Sequence, residues 1–147
     1  MLARLFVLLA ALLGAARAFQ PRAFRGQNNA PRRLLAVTEV ASCGALDAIV
    51  SDAGAGLVVV DYSTTWCGPC KMVLPKYVEL SEKYPGVTFL KCIGDSSAEA
   101  SALMKREGVR SVPSFHFWKN GAKLDTVNGA RIEEVEAVVK SEGGTVG

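Results

Sequence analysis

Residues 57–62, Leu-Val-Val-Val-Asp-Tyr, form an apolar, β-branched run interrupted by one carboxylate. A strand with one wet face alternates polar and apolar residues, whereas a continuous run implies that both faces are covered. Covering both faces takes helices on each side, so this segment alone points to an α/β architecture with the sheet in the middle. The flanking sequence agrees. Ser42 is placed to cap a helix predicted over 43–52, closed by Ala53-Gly54-Ala55-Gly56. Residues 67–83 set Met72, Val73, Tyr77 and Leu80 at helical spacing and stop before Pro85-Gly86. A second buried-type strand is predicted over 87–93 and a helix over 97–107, ended by Gly108. Strands at 114–118 and 123–127 flank Asn120-Gly121, a two-residue hairpin signal. A last amphipathic helix is predicted over 132–140, before a polar, glycine-rich tail. The expected fold is α/β, a central mixed β-sheet flanked by helices on both faces, with no internal repeat.

Charge is distributed unevenly along the 147 residues. Residues 1–38 hold six arginines and no acid, leaving eleven of the seventeen bases against all fourteen acids in the remainder, a net charge of −3. A chain basic only at its start is not a nucleic-acid binder on charge grounds. The first 18 residues read as a secretory signal peptide: Arg4, an apolar run over 5–16, and small residues at Ala16 and Ala18 around Arg17. The run of 12 residues is too short for the roughly 20 that a membrane-spanning helix needs, so no stable membrane insertion is expected. Residues 19–37 contain four arginines, Pro21, Pro31 and no acid, a composition that cannot bury a core. A signal followed by a basic segment opening on an aromatic residue, Phe19, resembles the bipartite presequences of algae with complex plastids. That resemblance implies a plastid protein routed through the endoplasmic reticulum. The alternative is a secreted or lumenal protein with a basic arm. The folded domain is expected over 38–147.

The chemistry is concentrated in Trp66-Cys67-Gly68-Pro69-Cys70-Lys71. Two cysteines separated by two residues serve as half a zinc site or as a redox pair. A zinc site needs a second pair of ligands, and Cys43, Cys92 and the single histidine, His116, each stand alone in the sequence. One histidine also leaves no His-rich metal site and makes a Ser/His/Asp triad unexpected. The redox reading suits a dithiol at the start of a helix that follows a buried strand. There the helix N-terminus stabilises a thiolate at Cys67, and Cys70 lies one turn further in, expected to be the more buried. Pro69 is tolerated because the first helical turn has no use for its N–H.

At these residues the sequence resembles thioredoxin, from about residue 38 to 142. The family's Trp-Cys-Gly-Pro-Cys-Lys signature is present as Trp66 to Lys71. The buried aspartate six residues before the first cysteine is Asp61, and the helix-kinking proline is Pro75. The cis-proline facing the dithiol matches Pro113, after Val112, and the groove glycine matches Gly129, before Ala130. Thr64-Thr65 departs from the family's usual small-residue pair. Pro75-Lys76-Tyr77, Leu80-Ser81-Glu82-Lys83-Tyr84 and Phe89-Leu90-Lys91 resemble the plastid f-type. That type carries a further cysteine after an aspartate, two residues further along than Cys92, a position that Cys92 does not occupy.

The resemblance implies a protein disulfide reductase working by thiol–disulfide exchange, with Cys67 as nucleophile, Cys70 as resolving thiol and a redox-active Cys67–Cys70 disulfide. Asp61, a carboxylate in an apolar strand, should have a raised pKa and accept the Cys70 proton; Lys91 matches the family lysine that pairs with it. Trp66, Gly68, Pro69, Val112, Pro113, Gly129 and Ala130 would form the surface where a target docks. The implied partners are disulfide-containing proteins and a thioredoxin reductase, ferredoxin- or NADPH-linked. A monomer is expected, with no cofactor and no metal. Two further readings stand beside this one: a secretory-pathway oxidase or isomerase, which the signal peptide invites, and a binding subunit in which redox is incidental. Cys92 is expected in the core or as a regulatory thiol, Cys43 less buried, and His116 in packing or at the surface.

Overall fold

The computed structural model describes residues 37–143 and 145–147. The signal peptide expected over 1–18 and the basic segment expected over 19–37, Val37 excepted, lie outside these residues. The described elements run β1 (Thr38–Glu39), α1 (Cys43–Ala53), β2 (Val58–Ser63), α2 (Gly68–Lys83), β3 (Thr88–Ile93), α3 (Ala98–Arg106), β4 (Ser114–Lys119), β5 (Ala122–Asn128) and α4 (Ile132–Ser141). The sheet order is β1-β3-β2-β4-β5, with β1, β3 and β2 parallel and β4 and β5 antiparallel to their neighbours. This is the mixed, doubly covered α/β sheet anticipated from the run at 57–62, and β2 is buried along its whole length. Among the described residues no helix is long and apolar enough to cross a membrane.

Alternation along the strands divides the core in two. Val59, Phe89, Phe115, Phe117 and Val127 face α2 and α4, meeting Val73, Tyr77, Leu80, Val135 and Val139. Val58, Val60, Tyr62, Leu90 and Cys92 face α1 and α3, meeting Leu46, Val50, Ala100 and Leu103. Local signals set the element ends. Ser42 and Ser97 accept hydrogen bonds from Ala45 and Ala100 N–H as helix caps. Asn120 and Gly121 both have positive φ, 53° and 75°, as the two-residue β4–β5 turn requires.

Three expectations need correction. Strand β1 was not foreseen: its two residues carry no periodicity, and it exists because Thr38 and Glu39 pair with Leu90 and Lys91. Val37 belongs with the domain, since it packs against the α2/α4 core. Met72, assigned to the apolar face of α2, is instead 79% exposed, whereas Val73, Tyr77 and Leu80 are buried. Met72 follows Lys71 on the outer side of the helix, one residue out of phase with the buried stripe.

Candidate active site

One end of the sheet gathers the residues singled out above. The parallel strands β2 and β3 run toward it, ending at Ser63 and Ile93, while antiparallel β4 starts there, with Ser114 opposite Tyr62. Asn128 at the end of β5 lies opposite Ser114, so the segments at 64–67, 94–97, 112–113 and 129–130 all emerge at this end. Open α/β sheets place their chemistry in this position.

Cys67 is the N-cap of α2, and its sulfur accepts a hydrogen bond from the Cys70 N–H at 3.2 Å. Cys67 and Cys70 are joined in a disulfide, with their Cα atoms 5.3 Å apart. The two residues are equally buried, 4% and 5% exposed, which corrects the expectation that Cys70 would be the more buried. Burial therefore does not distinguish the pair. The hydrogen bond does, because a helix-end N–H aimed at the Cys67 sulfur favours its thiolate. Pro75 lies within α2 and has no N–H to give to the Lys71 carbonyl, a local reason for a kink one turn beyond the pair.

Asp61 lies two residues before the end of β2 and is 1% exposed. Neither carboxylate oxygen has a hydrogen-bond partner. Burial pushes its pKa up to about 7, opposed in part by the positive charge of Lys91. Lys91 is the register partner of Asp61 across β2–β3, but the two form no ion pair. The pairing expected from the resemblance is therefore a longer-range attraction. The Lys91 side chain instead lines a cleft of about 90 Å³ with Ser63, Thr64, Thr65, Cys70, Lys71 and Leu74, among others. This cleft brings Cys70, a basic residue and the end of the Asp61 strand together.

The remaining expected residues frame the same end. Trp66 is 73% exposed, and Gly68 and Pro69 are also exposed. The Val112–Pro113 peptide is cis. Pro113 is buried and Val112 half-buried. Gly129 donates its N–H to the Pro113 carbonyl at 2.8 Å, tying the two loops together with Ala130 exposed beside them. Gly129 has φ 87°, a conformation that favours glycine. Cys92 and His116 lie elsewhere, buried on the α1/α3 side, while Cys43 is half-buried at the start of α1. Burial raises the Cys92 pKa to about 11, the behaviour of an inert core thiol.

Two features escaped the sequence reading. Asp95, in the β3–α3 loop, accepts hydrogen bonds from both the N–H and the hydroxyl of Thr65. Gly94 packs so tightly against Met104 that a Cβ would fall 1.7 Å from its sulfur. Both are contacts between segments about 10 to 30 residues apart, which no local spacing announces.

Comparison with known proteins agrees with this arrangement. The thioredoxin family profile matches residues 37–141. Thioredoxin of the horse, Equus caballus, is 42% identical over 104 residues, covering 71% of this chain and 96% of the relative. Thioredoxin F2, chloroplastic, of Arabidopsis thaliana is 43% identical over 93 residues, covering 63% of this chain and 49% of the relative. Among solved structures, thioredoxin f2 in complex with ferredoxin:thioredoxin reductase superposes with a TM-score of 0.65 at 41% identity, covering 71% of this chain and 93% of that one. With this match spanning the whole described sheet and the dithiol at its working end, the chain belongs to the thioredoxin family and is a protein disulfide reductase acting through its Cys-Gly-Pro-Cys pair.

Proposed function

We propose that Cys67 is the attacking nucleophile, Cys70 the resolving thiol and Asp61 its proton acceptor, in a plastid reductase that draws electrons from a ferredoxin-linked thioredoxin reductase. The observation that carries the assignment of roles is the Cys70 N–H directed at Cys67 Sγ at 3.2 Å. In the reduced protein the Cys67 thiolate attacks one sulfur of a target disulfide. A mixed disulfide forms, and the other target sulfur leaves as a thiolate. Asp61 takes the proton of Cys70, whose thiolate then attacks Cys67 Sγ. That step closes Cys67–Cys70, releases the second target sulfur and completes a two-electron reduction of the target. A carboxylate with pKa about 7 can hold or release this proton at neutral pH. The positive charge of Lys91 favours the ionised carboxylate and keeps that pKa from rising further. Trp66, Gly68, Pro69, Val112, Pro113, Gly129 and Ala130 serve as the docking surface, with the Val112 backbone available to an extended target segment.

The chloroplastic relative and the reductase-bound structure support the plastid and ferredoxin assignments. In this reading residues 1–18 are a signal peptide and the basic segment after it a transit element, removed before Val37, which packs into the core. The f subtype receives weaker support. Cys92, buried on the α1/α3 side, does not occupy the position of that type's further cysteine.

Cysteine trapping tests the roles. Cys70→Ser should accumulate mixed disulfides with targets, and Cys67→Ser should form none; covalent capture by Cys67→Ser protein would refute the assignment. A fluorescent fusion of residues 1–37 should reach a plastid, and replacing Phe19 should strand it earlier on the route. Secretion of the fusion would overturn the plastid reading and leave the disulfide chemistry intact. Reduction by an NADPH-linked enzyme, with none by the ferredoxin-linked one, would overturn the donor assignment.

A further inference from the structure

We infer that Asp95 is a positioning residue for target recognition, holding the turn that carries Trp66 through a clamp on Thr65. The inference rests on the docking role proposed above for Trp66. Residues 64–67 form a turn closed by the Cys67 N–H on the Thr64 carbonyl at 3.3 Å. Trp66 stands at the third position of this turn with most of its ring in solvent. Its indole makes no hydrogen bond within the described residues, so the ring is placed by the backbone beneath it. That backbone is held at Thr65. The Asp95 carboxylate accepts the Thr65 N–H at 2.9 and 3.2 Å, one from each oxygen, and the Thr65 hydroxyl at 2.5 Å. Three hydrogen bonds on one carboxylate, two of them from a backbone N–H, constrain direction as well as distance.

The Asp95 side is itself anchored. The Gly94 N–H donates to the Ser63 carbonyl at 2.9 Å, tying the loop to the end of β2. Gly94 also lies under the Met104 sulfur, which ties the loop to α3. The Ser96 N–H and hydroxyl both donate to the Ile93 carbonyl, closing the loop on β3. Asp95 thus links a loop fixed to β2, β3 and α3 with a turn whose exposed aromatic residue has no hydrogen bond of its own. Thr65 and Asp95 are both exposed, so neither fills the core. A clamp of this kind acts on how a macromolecular target seats against Trp66. A small disulfide that reaches Cys67 without lying across the Trp66 ring is indifferent to it.

The test uses the full chain, reduced, with rate constants measured toward insulin and toward glutathione disulfide. Asp95→Ala and Thr65→Val should each slow insulin reduction roughly tenfold and glutathione disulfide reduction less than about twofold. Thr65→Ser, which keeps both donors, should stay within about twofold of the parent toward insulin. The double variant should lose no more than either single one, because the two residues act as one device. Equal losses toward both disulfides, or an unchanged insulin rate in Asp95→Ala, would overturn the proposal. Trp66→Ala, run in parallel, separates the two readings. If it leaves the insulin rate unchanged, the docking role fails and the clamp's function with it. If it lowers that rate while Asp95→Ala does not, the clamp alone is overturned.

Discussion

Each face of the sheet buries a titratable side chain with unpartnered polar atoms, Asp61 on one and His116 on the other, and their surroundings differ. On the α2/α4 side lies Asp61, both oxygens unpartnered, at the working end of β2. On the α1/α3 side lies His116, 3% exposed, its ring tilted against Tyr62 with centroids 4.7 Å apart and Nδ1 unpartnered. Burial acts on both in the same sense, toward the neutral form. It raises Asp61 to about 7 and lowers His116 to about 4, with the charge of Lys123 adding to the His116 shift and that of Glu107 opposing it. The consequence differs because of the neighbours. Asp61 shares its end of the sheet with a disulfide and a cleft lined by Cys70 and Lys91, the surroundings that the proposed proton transfer would use. His116 lies opposite Val60 across β2–β4 and against the Tyr62 ring, away from the disulfide, where protonation has no chemistry to serve. A perturbed titratable group signals function only where its surroundings supply a reaction.

The contrast breaks most visibly if the chemistry is not confined to one face. Cys67→Ser should abolish insulin reduction, whereas Cys43→Ser and Cys92→Ser should leave its rate within about twofold. A large loss in either of the latter would give the α1/α3 face a redox role.

Asp61→Asn sharpens the comparison next. Turnover at pH 7 should fall roughly tenfold, the scale of a lost proton acceptor. Stability should move the other way. Between about pH 4 and 7 the folded protein holds a proton on Asp61 that the unfolded chain has released, so Asp61 costs stability progressively as pH rises through its folded pKa. Above that window the buried carboxylate is charged, and Asp61→Asn should raise unfolding stability at pH 8 by about 2 kcal/mol in denaturant titrations. Unchanged turnover from pH 6 to 9 would remove Asp61 from the mechanism.

Gly94→Cys probes the seam between the faces, since Met104 of α3 packs on the loop serving the active end. The added side chain should displace Met104 and cost about 1–3 kcal/mol. A fully stable variant would show that Met104 yields freely.

The smallest effect belongs to His116. Its depressed pKa means that stability present above about pH 6.5 is lost as pH falls toward 4. His116→Phe should flatten that acid limb in thermal melts while leaving insulin reduction unchanged at pH 7. Altered reduction kinetics would contradict the separation of the two faces.

Much of this architecture was written locally. The β-branched run at 57–62, the serine caps, the Asn120-Gly121 turn and the dithiol ahead of a helix each depend on residues within a few positions of one another. Short-range sterics and periodic burial therefore suffice to place the sheet, its two helical layers and the redox pair. What the tertiary structure alone decided depends on partners distant in the chain. Strand β1 exists only through pairing with residues about 50 positions away. Thr65 acquires Asp95 as a partner across 30 residues. The separation of Asp61 from an ion pair with Lys91 and the equal burial of Cys67 and Cys70 likewise followed only from side-chain placement. Sequence pattern encodes which face of an element is buried; which atoms meet there is settled only when the whole core packs at once.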